Sequence, residues 1–200
     1  KMATVVEHDR RKYEILQKAM DVFVREGYED VTFQKIADRC GVTRTTLYIY
    51  FKNKREIFLY SIKQLTEGLQ AELYSIAKNE NLSSSEALRQ MLFTLIDDCN
   101  ANDKLLKVLL PYLLSIQKTG ESPNERVRRR IIRVRHLMAL LIIKGIKRGE
   151  FKYMNVKDAN EMLYGLVEST VLRLVVYGKD DSEEMKNAIN LAIDGILTKK

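Results

Sequence analysis

The side chains best suited to chemistry lie in one stretch, "CGVTRTTLYIYFKNK", running from Cys40 to Lys54. Thr43, Thr45, Thr46, Tyr48 and Tyr50 supply hydroxyls, Arg44 a guanidinium and Lys54 an ammonium. These groups donate and accept hydrogen bonds but contain no nucleophile–base pair and no set of metal ligands. A buried helix would not tolerate so many hydroxyls, and an ordinary solvated helix would carry more Glu and Lys. What the set can do is read and hold nucleic acid. Thr hydroxyls bond base edges or phosphates, Arg pairs bidentately with guanine, and a methyl-bearing side chain such as Ile49 meets the thymine methyl. Tyr48 and Lys54, near helix ends, suit phosphate contacts that fix register.

Catalytic alternatives have little support. His8 and His136 are the only histidines, and neither lies in a metal or nucleophile motif. Asp97-Asp98 and Asp180-Asp181 read as a helix surface and a loop. No glycine-rich phosphate cradle follows a strand signal. Cys40 and Cys99 are too few for a disulfide framework or an all-cysteine zinc site, so they read as buried thiols in a cytoplasmic protein. The expectation is no enzyme, no metal and no cofactor.

Positioning such a polar face takes short helices crossed tightly. Thr32 can cap a helix over residues 33–39, with Phe33, Ile36 and Ala37 on its apolar side. Gly41 ends it, where a positive φ costs glycine nothing. Thr43 can then cap a third helix reaching about Tyr50. The small Ala37 permits a close crossing, with Val42, Leu47 and Tyr50 facing inward beside Ile36. Two short helices joined by a glycine turn describe the helix-turn-helix. A first helix over residues 9–26, with Ile15, Ala19, Val22 and Phe23 at helical spacing, completes a three-helix unit. Asn53, followed three residues later by Glu56, predicts a capping box for a long fourth helix.

The whole chain agrees with an all-α reading. Two prolines and nine glycines in 200 residues leave few helix breakers, and 46% of the residues are hydrophobic. Helical patterns cover residues 54–78, 84–100 and 103–119, the last kinked or interrupted by Pro111. Ser122-Pro123-Asn124 opens another, running to Arg148 and stopped by Gly149; two more cover 156–177 and 182–198. No apolar run approaches the roughly 20 residues that span a bilayer, and no signal-peptide core precedes the first charges, so no membrane partner is expected. The net charge of +7 permits an acidic partner such as nucleic acid without requiring one.

The segment "VTFQKIADRCGVTRTTLYIYFKNKREIF" resembles the N-terminal signature of the TetR family of transcriptional regulators, over about Ile15 to Phe58. The resemblance implies an all-α homodimer of two domains, an N-terminal helix-turn-helix DNA-binding domain over residues 1–52 and a helical effector-binding and dimerisation domain over residues 53–200. It implies repression at a double-stranded palindromic operator and release by a small-molecule effector. It assigns groove contacts to Arg44, Thr45 and Thr46, and phosphate contacts to Thr32, Thr43, Tyr48 and Lys54, with Tyr50 at a frequently used position. Ile49 departs from the family, which often has tyrosine or another polar residue there; it either meets a thymine methyl or merely packs. A ligand-dependent activator and an interaction protein with a vestigial helix-turn-helix are the rival readings.

Beyond Phe58 the expectations are coarser. Leu163, Leu166, Thr170 and Leu174 fall on one stripe, and Ile189, Ile193 and Ile196 on another; in the family these last two helices pair with the partner copy, so both stripes are expected at a shared face. Gly165 and Ser169 would allow close helix approach. A pocket between the middle helices would draw on Met91, Leu95, Cys99, Tyr112, Leu113, Ile116, Leu137, Leu141 and Tyr164. The run "RVRRRIIRVRH" places Arg126, Arg129, Arg130 and Arg133 on one side of a helix, either as a solvated face or as a reader of an anionic ligand.

Overall fold

The computed structural model describes residues 2–118, 125–178 and 181–198. The elements are α1 (Met2–Glu26), α2 (Phe33–Cys40), α3 (Arg44–Tyr50), α4 (Lys54–Lys78), α5 (Ser84–Ala101), α6 (Asp103–Lys118), α7 (Glu125–Lys147), α8 (Val156–Leu172) and α9 (Ser182–Ile196). The fold is all-α, and its only sheet-like pairing among the described residues is the bridge between Phe151 and Leu197.

Most helix ends follow the punctuation in the sequence. α1 begins before residue 9 and stops at Gly27, whose φ is 79°. α6 runs through Pro111 without interruption. α8 is shorter than the pattern suggested: residues 173–177 widen into a π-helical turn, which Gly178 ends in the left-handed region. The expected Ser122-Pro123-Asn124 helix start lies outside the described residues, as do the Arg126 side chain and Asp180. At the start of α4, Asn53 Oδ1 accepts from the Glu56 N–H at 2.8 Å, but the Glu56 carboxylate takes the Lys52 N–H rather than that of Asn53. The complete capping box is at α5, where Ser83 and Glu86 satisfy each other's N–H groups.

The chain divides into two compact units, Lys1–Gly68 with Lys107–Tyr112, and Leu69–Leu106 with Leu113–Lys200. In the first, Ile15, Ala19, Phe23, Ile36, Ala37, Leu47, Phe51, Ile57 and Phe58 are buried. Fully burying a side chain such as Phe58 is worth roughly 1.5–3 kcal/mol. Tyr112 belongs to this unit. Its ring meets Tyr28 at 4.4 Å and Phe58 at 4.9 Å, so it fills an aromatic cluster rather than an open pocket.

In the second unit α5 packs against α7, α8 and α9. Its core holds Met91, Leu95 and Leu141, with Cys99, Leu137 and Tyr164 packed against it. Ile116 is also buried. The expected pocket residues on these helices therefore mostly fill space with one another. The stripe expected at a shared face turns inward too. Leu163, Ile189 and Ile193 are fully buried, Thr170 and Leu174 nearly so, and Leu166 and Ile196 pack against the same core. The reason is that α8 is apolar on two sides. Met162, Leu172 and Val176, with Gly165 and Ser169 between them, form the side left exposed, and Leu191 is the exposed apolar residue of α9.

Two details lock this unit's C-terminal end. The Phe151 ring lies where a Cβ on Gly145 would sit, and its own N–H donates to the Gly145 carbonyl at 3.2 Å. Lys152 N–H donates to the Ile196 carbonyl and Thr198 N–H to the Glu150 carbonyl, both at 2.9 Å.

Candidate nucleic-acid interface

Two capped helices and one left-handed glycine build the site. The Thr32 hydroxyl accepts from the Lys35 N–H at 3.2 Å and starts α2. Gly41, at φ 68° and ψ 37°, closes α2 by donating its N–H back to Asp38, while Val42 donates to Ala37. This geometry turns the chain at once into Thr43, whose Oγ1 accepts from the Thr46 N–H at 3.1 Å. The hydroxyls of Thr43 and Thr46 are 2.8 Å apart, so one donates to the other.

α3 is anchored by a single fully buried side chain, Leu47. Every other residue of the helix keeps surface available. Arg44, Thr45, Tyr48 and Ile49 are exposed, and Thr46 and Tyr50 half-buried. The Tyr48 ring leans on Phe33 at 4.5 Å, and its hydroxyl receives an Arg44 Nη2 donor at 3.3 Å. Arg44 and Tyr48 thus form one ledge along α3. Tyr50 stacks on His8 of α1 at 4.7 Å instead of turning fully inward. Ile49 is 69% exposed, so it packs on little within the chain.

The electrostatics single out α3. The α2 cations are met by α1 carboxylates, Lys35 by Glu26 at 2.5 Å and Arg39 by Asp21 at 3.7 Å. Arg44 meets no carboxylate among the described residues and holds only the Tyr48 hydroxyl and ring face. Lys54 is differently committed. Its ammonium donates to the carbonyls of Tyr28 at 2.8 Å and Glu29 at 3.1 Å, 4.5 Å from the Tyr28 ring centre. It fastens the start of α4 to the turn after α1, keeping one of its three donors for another partner. Cys40, behind the site, has its thiol pushed up by burial, against the pull of Lys18, Arg11 and Arg39. It is not poised for chemistry.

Residues 15–60 match the sequence model of the bacterial regulatory proteins of the tetR family. The helix-turn-helix regulator YfiR of Bacillus subtilis (strain 168) is 33% identical over 147 residues, 72% of this chain and 69% of that protein. The chain belongs to the TetR family. This TetR-family chain is also 26% identical over 201 residues to the fatty acid metabolism regulator protein of the same organism, covering 95% and 98% of the two chains. Its fold matches that of the transcriptional regulator FadR from Bacillus subtilis, solved in complex with stearoyl-CoA, with a TM-score of 0.67 at 22% identity over 92% and 98% of the chains. TetR-family members are transcriptional regulators that bind DNA through this helix-turn-helix, not enzymes.

In the second unit Cys99 and Tyr164 are both held neutral. Burial, with Asp98 beside it, pushes the Cys99 thiol up to about 12. Burial, helped by Glu168 and Cys99 and opposed by Arg135, pushes the Tyr164 phenol up to about 12. Arg135 is engaged by Glu161 and lies 5.4 Å from the Tyr164 ring centre. Two grooves open beside α7. One, of about 680 Å3, lies between α6 and α7 and includes Leu113 and Arg128. The other, of about 550 Å3, lies between α4 and α7 and includes Leu137. Their other lining residues, Tyr74 and Ile132 among them, carry no pocket signal in the sequence, because a groove is the space between helices; Arg133 stands out there only within the arginine run. Among the described residues no cluster of His, Cys, Asp and Glu could hold a metal, and no helix is long and apolar enough to cross a membrane.

Proposed function

We propose that the chain is a homodimeric repressor that reads a palindromic operator through α3 and releases it when a small-molecule effector binds the second unit. The observation that carries this reading is the α3 surface. A seven-residue helix whose one fully buried side chain is Leu47 presents to solvent an arginine that meets no carboxylate among the described residues, a threonine, a tyrosine and an isoleucine. In this reading Arg44 and Thr45 contact base edges with Thr46 beside them. Thr32, Thr43 and Tyr48 hold phosphates, and Tyr50 sets the edge of the interface. Lys54 acts mainly as a brace, with its remaining donor toward the backbone of the DNA.

A helix this short reads too few base pairs alone, and a two-fold pair of copies reads half-sites about 34 Å apart. The surface that favours pairing is the exposed side of α8 and α9, Met162, Leu172, Val176 and Leu191. Its small residues Gly165 and Ser169 let a partner helix approach. The relatives concerned with fatty acid metabolism and stearoyl-CoA favour an effector of fatty-acyl type.

The test is selection of random duplex DNA by the purified protein at near-physiological salt. The expected result is an enriched palindrome. Arg44→Ala should then cost roughly 1–3 kcal/mol and relax preference at one position of each half-site. Enrichment of no sequence, or an Arg44→Ala variant with unchanged affinity and preference, would overturn the operator reading.

A further inference from the structure

His8 and Lys12 on α1 stand ahead of the family-matched residues 15–60, yet both reach the C-terminal end of α3. The His8 imidazole stacks on the Tyr50 ring, with centres 4.7 Å apart and planes 27° from parallel. Stacking uses the faces of the two rings and leaves the hydrogen-bonding edge of the imidazole uncommitted. The His8 side chain keeps 48% of its surface in solvent. Its Nδ1 stands 3.9 Å from Asp9 Oδ1, too far for a hydrogen bond, and neither ring nitrogen has such a partner among the described residues.

The charges around this stack are unevenly matched. Arg10 is met by Glu7 at 3.1 Å and by Glu14 at 3.7 Å, and Arg11 by Glu14 at 3.3 Å. Lys12, one turn beyond His8 on the same face of α1, meets no carboxylate among the described residues. Its ammonium lies 4.7 Å from the Tyr60 ring centre and 5.4 Å from that of Phe51, the residue that ends α3. The groups facing His8 are the Tyr50 phenol from α3 and the Asp9 carboxylate on its own helix. Asp9 is 74% exposed, so water screens its pull.

A purely packing role needs only a ring. Two uncommitted nitrogens beside the DNA-reading helix ask for an acceptor, and the acceptors along the outside of a duplex are phosphate oxygens. Neutral imidazole offers one donor, imidazolium two donors and a full charge. A phosphate alongside favours the charged form, so this contact takes up a proton.

We propose that His8, seated on Tyr50, contacts a backbone phosphate at the side of the α3 interface, with Lys12 adding positive potential behind it, and that this contact ties DNA affinity to pH. The proposal deepens the reading of α3 as the DNA-facing helix and rests on it. His8 then sets the strength of binding and reads no base.

The experiment measures fluorescence anisotropy of the full-length protein on two duplexes, the selected one and an unrelated one, from pH 5.5 to 8 and over a range of salt. Wild-type affinity should fall as pH rises through this range, in which histidine side chains lose their charge. At pH 6, His8→Gln should weaken both duplexes by the same factor, about tenfold. It should also lower the salt slope by about 0.9 for each subunit bound, and flatten the pH dependence. His8→Lys, charged throughout, should restore affinity and keep the pH curve flat, which a ring needed only for stacking would not allow. A flat wild-type curve, a pH dependence that survives His8→Gln in full, or a loss confined to the selected duplex would each overturn the proposal. So would an unchanged salt slope, or a His8→Lys variant as weak as His8→Gln. Failure of the operator reading looks different: no sequence is enriched, while the His8 effects, which need only a phosphate, are still read on the unrelated duplex. Wild-type protein that binds neither duplex would overturn both.

Discussion

Ile49 leaves 69% of its surface in water near the C-terminal end of α3, the helix that carries Arg44 and Thr45. That exposure disfavours the alternative in which it merely packs within the chain, and in the proposed reading it stands at a base edge. Its aliphatic end can contribute only by contact, so its natural complement is a thymine methyl. Replacing the contacted thymine by uracil should weaken wild-type binding by about 0.8 kcal/mol, the worth of one buried methylene. The same replacement should leave Ile49→Ala unaffected. Fluorescence anisotropy with the four protein–DNA combinations measures this directly; equal uracil penalties for both proteins would remove Ile49 from base reading. The hydroxyls around it were legible in the sequence because Thr32 and Thr43 cap helices and Leu47 must anchor them. Lys54 was legible only as a cation. Its commitment to the Tyr28 and Glu29 carbonyls needs the fold, since those groups stand 26 and 25 residues away.

Gly145 shows how an element depends on one missing methyl. A Cβ there would come within 2.2 Å of the Phe151 ring, which is 2% exposed and backed by the Phe151–Leu197 bridge. Gly145→Ala must displace an aromatic ring, and overpacking of this kind costs typically about 1–3 kcal/mol. Urea denaturation should show that loss, and an unchanged midpoint would mean that Phe151 has another place to go. Asp98 gives α5 a pH dependence of known sign. Its carboxyl is pushed up by burial and by Glu72, with the Asn102 amide opposing. The folded state therefore favours protonated Asp98. Its contribution to stability is largest below the ordinary aspartate value, falls as pH rises through the elevated folded value, and stays flat above it. Asp98→Asn should raise the melting temperature at neutral pH and bring no gain in acid. A gain that persists in acid would have to come from something other than this ionisation. Neither feature was visible in the helical periodicity, because Gly145 and Asp98 matter through residues on other turns and other helices.

At the scale of the molecule, the decisive surface is the outer side of α8 and α9. Leu191→Glu puts a carboxylate on an exposed position, 76% in solvent, so the isolated chain should fold unchanged. If that side joins two copies, light scattering should report monomers, and operator binding should fall with them because each half-site would be bound singly. A variant that remains dimeric with full operator affinity would place the joint elsewhere. By itself the sequence determined the all-α architecture, the paired caps around Gly41 and the polar face of α3, all of which are set within a few turns of chain. It could not choose between the sides of α8. Leu163, Val167, Thr170 and Leu174 recur at helical spacing, and so do Met162, Gly165, Ser169, Leu172 and Val176. Hydrophobic periodicity reveals that a side is apolar, not which neighbour will cover it. Packing on α5, α7 and α9 took the first side into the core and left the second in solvent. The groove beside Arg133 was decided in the same way, since a cavity is the space between helices and has no residue of its own to mark it.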